Sequence, residues 1–302
     1  MGDHTHSKGD VMFSYRYMFM DMQDMRQSTN SLSIATVLQE YMLSPLSMLM
    51  HMHMLGAMYA PSDKLTIMLM LNYLQMSMDH RTRMGMNFTT ESSGLADSWV
   101  SALYKVYDQN GQRAHINLGL RVPSGSIDVK GVSPASAPDE TQLPYPMQIG
   151  SGSWGLKPGI TYLLEKESSS MGAQASILLP LHENDRGYQL APRSEVLAWS
   201  AYHLTNMISA SLRATAVFQG EISGADEAYN MAVMNRMVPT VFTENSGGKW
   251  LFLGGGINFY VPEGALKDVR LAMEYEYPLV QDLNGTQMET KQKLTLGVQY
   301  AF

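Results

Sequence analysis

The chain contains no cysteine. Disulfides, thiolate zinc sites, iron–sulfur clusters and cysteine nucleophiles are thereby excluded together. Charge is scarce too: Asp, Glu, Lys and Arg make up 16% of 302 residues, below the roughly 25% of an ordinary soluble domain. The balance is acidic, a formal −7 with no basic run, which argues against nucleic acid as a partner. No stretch approaches the roughly 18 consecutive apolar residues of a membrane helix. Residues 1–10, MGDHTHSKGD, carry no apolar run of the kind an export signal needs, so an exported protein is expected here in its mature form.

What is present is alternation. From Lys291 to Phe302, Leu294, Leu296, Val298, Tyr300 and Phe302 share one face, and Lys293, Thr295, Gly297, Gln299 and Ala301 the other. Val11 to Met22 and Val269 to Leu279 behave alike, with Phe13, Tyr15 and Tyr17, or Leu271, Met273, Tyr275 and Tyr277, on the apolar face. A period of two is the mark of half-buried strands. About twelve such segments are expected, near 10–23, 45–60, 64–79, 95–107, 113–127, 155–166, 171–182, 194–204, 207–221, 249–261, 268–280 and 289–302. Many exceed the roughly five or six residues of a soluble strand and suit the roughly 9–11 of a tilted membrane strand.

Connections alternate in length. Pro61-Ser62-Asp63, Asp108 to Gln112, Glu167 to Ser170 and Thr205-Asn206 are short; 24–44, 80–94, 128–154, 183–193, 222–248 and 281–288 are long. Short turns at one end and long loops at the other predict an all-β fold: one antiparallel up-and-down transmembrane barrel with periplasmic turns and extracellular loops. The expected organisation is a polar segment over 1–9 and a barrel over 10–302. An even strand count lets the last strand close on the first, leaving no edge in lipid.

The ending Gly297-Val298-Gln299-Tyr300-Ala301-Phe302 resembles the C-terminal signature of bacterial outer-membrane barrels. That resemblance implies outer-membrane lipid and the barrel assembly machinery as partners, with Gly297, Tyr300 and Phe302 as the assembly signal. Five further segments carry a wider likeness: Gly2 to His6, Phe13 to Met18, Met52 to Tyr59, Pro144 to Gln148 and Asn258 to Gly264. Through them the chain is similar to the "transporter" proteins grouped with the meta-pathway phenol-degradation family. The likeness implies a Gram-negative outer-membrane barrel and, through the family name, passage of aromatic solutes.

Methionine supplies the second signal. Of 26 Met, 18 lie in residues 1–88 and 8 in the rest. Met18, Met20 and Met22, then Met48, Met50, Met52 and Met54, then Met76 and Met78 all have the parity that faces the lumen, with His80 beside them. Strand direction puts them in the extracellular half. Thioethers are soft ligands that suit Cu(I) or Ag(I). The same side chains also serve as flexible packing or as a path for varied apolar solutes. His51 and His53 have the opposite parity. His4 and His6 form a short pair that offers Cu(II) or Ni(II) a site, although a polar terminus of this kind is more often disordered.

Elsewhere the inward parity is charged: Arg16, Asp97, Lys105, His115, Arg121, Arg213, Arg270, Glu274, Glu276, Lys291 and Lys293. Both signs are present, so pairing across the lumen is expected, and loops 128–154 and 222–248 are candidates to fold in as a plug. No catalytic constellation is recognisable. Ser124-Gly125-Ser126 and Gly150 to Ser153 read as loop, and Gly254-Gly255-Gly256 as close packing inside a strand. No enzyme is therefore expected, and no cofactor is required, with Cu(I) the candidate ligand. Three readings follow: a barrel that passes or binds copper or silver, a channel for hydrophobic or aromatic small molecules, and a plugged structural barrel.

Overall fold

A computed structural model describes residues 5–134, 136–264 and 266–302. Eleven strands close a ring: β1 (Val11–Ser28), β2 (Leu43–Ser62), β3 (Leu65–Thr82), β4 (Ser98–Gln109), β5 (Gln112–Val122), β6 (Gly155–Glu165), β7 (Ser169–Pro180), β8 (Arg193–His203), β9 (Ile208–Gln219), β10 (Gly248–Tyr260) and β11 (Val269–Ala301). β11 is two passes in one element. It pairs with β10 up to Leu283 and with β1 from Leu283 onward, turning at Gly285 with φ +55°. Counted so, the ring has 11 + 1 = 12 passes, all antiparallel, and β1 closes on β11 as the alternation requires.

The exposed face is apolar on every side. Leu55, Ile67, Leu69, Leu71, Val100, Ile116, Leu118, Leu120, Ile160, Val196, Leu212, Leu253, Ile257 and Leu271 all lie open, each at the outward parity of its strand. Such a continuous apolar belt is stable only against lipid. Aromatics edge it: Tyr59, Tyr104, Tyr300 and Phe302 near the turns, Tyr73 and Tyr277 higher up. Phe302 leans on Phe13 and Tyr300 at 5.9 and 5.5 Å between ring centres.

The extracellular side departs from the sequence reading in an instructive way. The loop expected over 80–94 contains the strand Asn87–Leu95, which pairs with the upper part of β3 and continues the line of β4 above a break at Ala96 and Asp97. The expected loop 281–288 is the tip of the β11 hairpin. Above the bilayer both faces of a strand meet water or polar loops, so the alternation that reveals a strand disappears. β1 likewise runs on to Ser28, through a bulge where Asp24 adopts φ +63°.

Segments 123–154 and 220–247 fold over the mouth. Met25, Val37 of the helix α1 (Ile34–Glu40), Tyr41, Tyr145, Tyr188, Tyr229, Val238, Val241 and Phe242 make one buried cluster there. α1 starts because Ser33 caps it, its hydroxyl accepting the Thr36 N–H. Tyr145 meets Tyr188 and Tyr229 edge-on, each at 4.8 Å. Asp226 N–H donates to the Tyr145 hydroxyl at 3.0 Å, and the Tyr229 hydroxyl donates to the Leu143 carbonyl.

Burial pushes the three phenols up, Tyr188 to about 12, because a phenolate is costly in that apolar setting. A folded pKa above the unfolded 10.0 means that the stabilisation is complete below pH 10 and fades as pH rises through the folded value. The cap is therefore expected to loosen between about pH 10 and 12. Protease cleavage within 220–247 should rise over that window, with some tyrosinate absorbance appearing only there. Simultaneous titration of all 16 tyrosines near the free value would contradict this.

The periplasmic end is tied as well. His6 N–H donates to Thr66 Oγ1 at 3.1 Å and Lys8 N–H to Asp63 Oδ1 at 2.8 Å. Residues 5–10 thus pack against the rim, where the sequence alone pointed to disorder. His4 lies outside the described residues.

Candidate functional site: the barrel lumen

The pleat decides which side chains enter the lumen, and the register decides which of them touch. Three strands are aligned so that methionines stand opposite methionines. Met22, Met48 and Met78 form one row across β1, β2 and β3; Met20, Met50 and Met76 form the next; Met18, Met52 and Leu74 form the third. Below them come Arg16, Met54 and Asn72, and at the periplasmic end Met12, Met58 and Met68. Directly opposed residues stand about 4.5–5.5 Å apart at Cβ, well within reach of two flexible thioether arms.

The rows differ in cover. Met48, Met76 and Met78 are buried beneath Leu143, Met147 and Ile149 of the folded-in segment. Met18, Met20, Met50, Met52 and Met54 remain half-buried. Met147 and Met288 join the cluster from outside the three strands, and Met25 enters the aromatic cluster above it. Parity could not find these three. Met147 lies in a loop, and Met25 and Met288 follow register shifts in the β1–β11 pairing that reset the period of two.

Charge lines the wall that adjoins these rows. Arg213 Nη1 donates to Glu274 Oε1 at 2.9 Å, and Glu276 lies over Gly254 in the adjacent pairing. Gly254 has no room for a side chain: a Cβ there would lie 2.9 Å from Glu276 Cγ. That close approach accounts for glycine inside β10. Lys293 stands next to Met20 across the β1–β11 seam and sits 3.5 Å over the Phe252 ring. Arg16 faces Met54 on one side and Gly297 on the other.

Five of the charges with inward parity lie toward the rims. Lys105 pairs with Asp108 at 3.0 Å within its own strand, while His115 opposite it is buried. Arg270 covers the Tyr260 ring at 5.3 Å at the periplasmic end. Lys291 sits at the β1 bulge and binds Asp24 at 2.8 Å. Asp97 and Arg121 meet at 3.7 Å near the mouth and hold the folded-in segment. There Asp97 accepts the Gly125 and Ser151 N–H groups at 3.1 Å, and Arg121 Nη2 donates to Ser153 Oγ at 3.2 Å. Gly125 and Gly150 pass so closely that a Cβ on Gly125 would lie 2.6 Å from Gly150 Cα.

His80 sits above the top Met row, buried, stacked on Phe88 at 4.9 Å. His51 and His53 face outward, 2.6 and 2.7 Å from the Tyr17 and Tyr15 hydroxyls. Among the described residues no group of three His, Asp or Glu side chains converges in a way that would hold a metal ion.

Solved structures share this architecture. An outer-membrane channel from Pseudomonas putida F1 has the same fold at TM-score 0.66, over 99% of this chain and 98% of that one, with 13% identity. The transport unit of the autotransporter AIDA-I from Escherichia coli matches at 0.53, over 99% and 92%, with 9% identity. No protein family model matches the chain, and no curated protein does. The chain has the closed-barrel fold of outer-membrane β-barrels, with the apolar outer belt that such a barrel turns to lipid. In that setting Tyr300 and Phe302 lie on the lipid face, 44% and 62% exposed, and Gly297 turns inward beside Arg16.

Proposed function

We propose that this outer-membrane barrel passes or binds soft monovalent cations, Cu(I) or Ag(I), along its methionine rows. The observation that carries the reading is the register: three neighbouring strands place thioether opposite thioether in successive rows on the lumen face. Loose, repeated sites along one wall suit conduction, because each must release what it binds. Two- or three-coordinate Cu(I) needs no backbone movement here, only rotation about the flexible Met side chain.

Met20, Met50, Met52 and Met76 all replaced by Leu is the test. Leu conserves volume and apolarity fairly well, so the barrel should fold. The number of silver ions bound, followed by isothermal titration, is expected to fall in that variant as the sites of these rows are lost. Unchanged silver binding would remove the metal reading.

A second reading has its own support. The upper rows are covered by Leu143 and Ile149 and flanked by Leu74, an apolar surrounding, and a wall of Met accommodates apolar molecules of varied shape. The likeness to the phenol-degradation transporters points the same way. Under this reading the four-Leu variant still passes aromatic solutes into liposomes at the wild-type rate, because Leu keeps the wall apolar.

A further inference from the structure

We propose that His80, together with Met78 and Met48, forms a mixed imidazole–thioether site for a soft monovalent cation at the extracellular end of the methionine rows. The inference rests on the soft-cation reading and assigns a particular ligand set to it. His80 is 2% exposed, and Met78 and Met48 are 0% and 1% exposed. Met78 precedes His80 by two residues on the same face of β3, which is about 6.5–7 Å along the strand, and Met48 stands directly opposite Met78.

The imidazole is half used. Its Nε2 lies 3.0 Å from Thr90 Oγ1, and its Nδ1 is buried with no partner among the described residues. Pro45, the residue paired with His80 on β2, is itself buried and has no N–H to give. Asp79 points to the other face, where it accepts from Ser47 and Thr89. With the proton on Nε2, the ring donates to Thr90 and leaves a lone pair on Nδ1. With the proton on Nδ1, a buried donor is stranded instead. Either state leaves one buried polar atom without a hydrogen bond, which is destabilising.

A cation at Nδ1 resolves that deficit and selects the first tautomer. The Nε2–H to Thr90 bond and the stack on Phe88 then fix the ring, as outer partners commonly do for ligating histidines. The lumen-face neighbour of His80 along β3 is Met78, and Met48 stands across from it on β2, so the proposed set is soft: one imidazole and two sulfurs suit Cu(I) or Ag(I), whereas Zn(II) seeks more nitrogen or oxygen.

The test uses the full chain in detergent and silver ion as the probe. His80→Phe keeps a ring to stack on Phe88 and removes Nδ1. It should weaken the tightest silver site by about tenfold or more, while binding to the lower rows persists. Long-range proton–nitrogen spectra of the wild type should show the His80 Nδ1 resonance moving on silver addition and Nε2 still protonated. Wild-type affinity in His80→Phe, with loss of silver binding in Met48→Leu plus Met78→Leu, would overturn the assignment of His80 and leave the soft-cation reading standing. No silver binding by the wild type would end both. Should His80→Phe fail to fold, an unmoved Nδ1 resonance in silver-loaded wild type overturns the assignment by itself.

Discussion

Tyr300→Asp combined with Phe302→Asp is expected to leave little folded barrel in the outer membrane, although the same chain refolds in detergent. Both side chains lie on the lipid face at the periplasmic rim and lean on one another, their rings tilted by 36°. An acidic group near the interface costs about 1 kcal/mol or less, against about 2–4 kcal/mol for Arg or Lys at the midplane. Such a cost cannot unfold a closed ring in which β1 and β11 pair from Met12 and Ala301 up to Ser28 and Leu283. A collapse of insertion in cells would therefore report lost recognition by the assembly machinery. Heat-modifiable migration on gels, measured for membrane fractions and for refolded protein, separates the two. Normal heat-modifiability in the membrane fraction would count against the assembly role of Tyr300 and Phe302, and failure in both settings would assign them to stability.

Asp97→Leu is expected to release the folded-in segment and raise ion conductance through the barrel. The Asp97 carboxylate holds the neck of segment 123–154 at both ends, through Gly125 and Ser151, and neutralises Arg121. Asn184 extends the latch to the next loop by donating to the Ser151 carbonyl at 3.0 Å. Removing one partner of a buried ion pair leaves the other charged and uncompensated, at a cost of about 3–5 kcal/mol. The capping segment can relieve that cost by moving away, so the penalty should appear there and not in the strands. Planar-bilayer recordings and protease cleavage between 128 and 154 are the measurements. Asp97→Leu with Arg121→Leu removes both charges and should recover much of the closure. Wild-type conductance and protection in the single variant would show that the aromatic cluster, not the latch, holds the cap.

By itself the sequence determined the faces. A strand has a side-chain period of two, so Leu296, Val298 and Tyr300 had to face lipid once Thr295, Gly297 and Gln299 faced the lumen. The same arithmetic put Met18, Met20, Met50, Met52, Met76 and Met78 on the inner wall. Turn length against loop length then set the direction of each pass, and with it the end of the barrel at which the methionines gather.

The register, the bulges and the cap arise from contacts between distant segments. Period two is unchanged by sliding one strand past another by two residues, so nothing local puts Met50 beside Met76 rather than Met78. A bulge resets the period at a cost of one residue, which hid Met25 and moved Lys291 away from the lumen network. The cap depends on contacts between segments far apart in the chain, such as Tyr145 with Tyr229 and Asp97 with Ser151. Loops have no periodicity that could announce those contacts. Met147 and the unpartnered Nδ1 of His80 became visible only when the folded-in segment and the strand Asn87–Leu95 were in place around them.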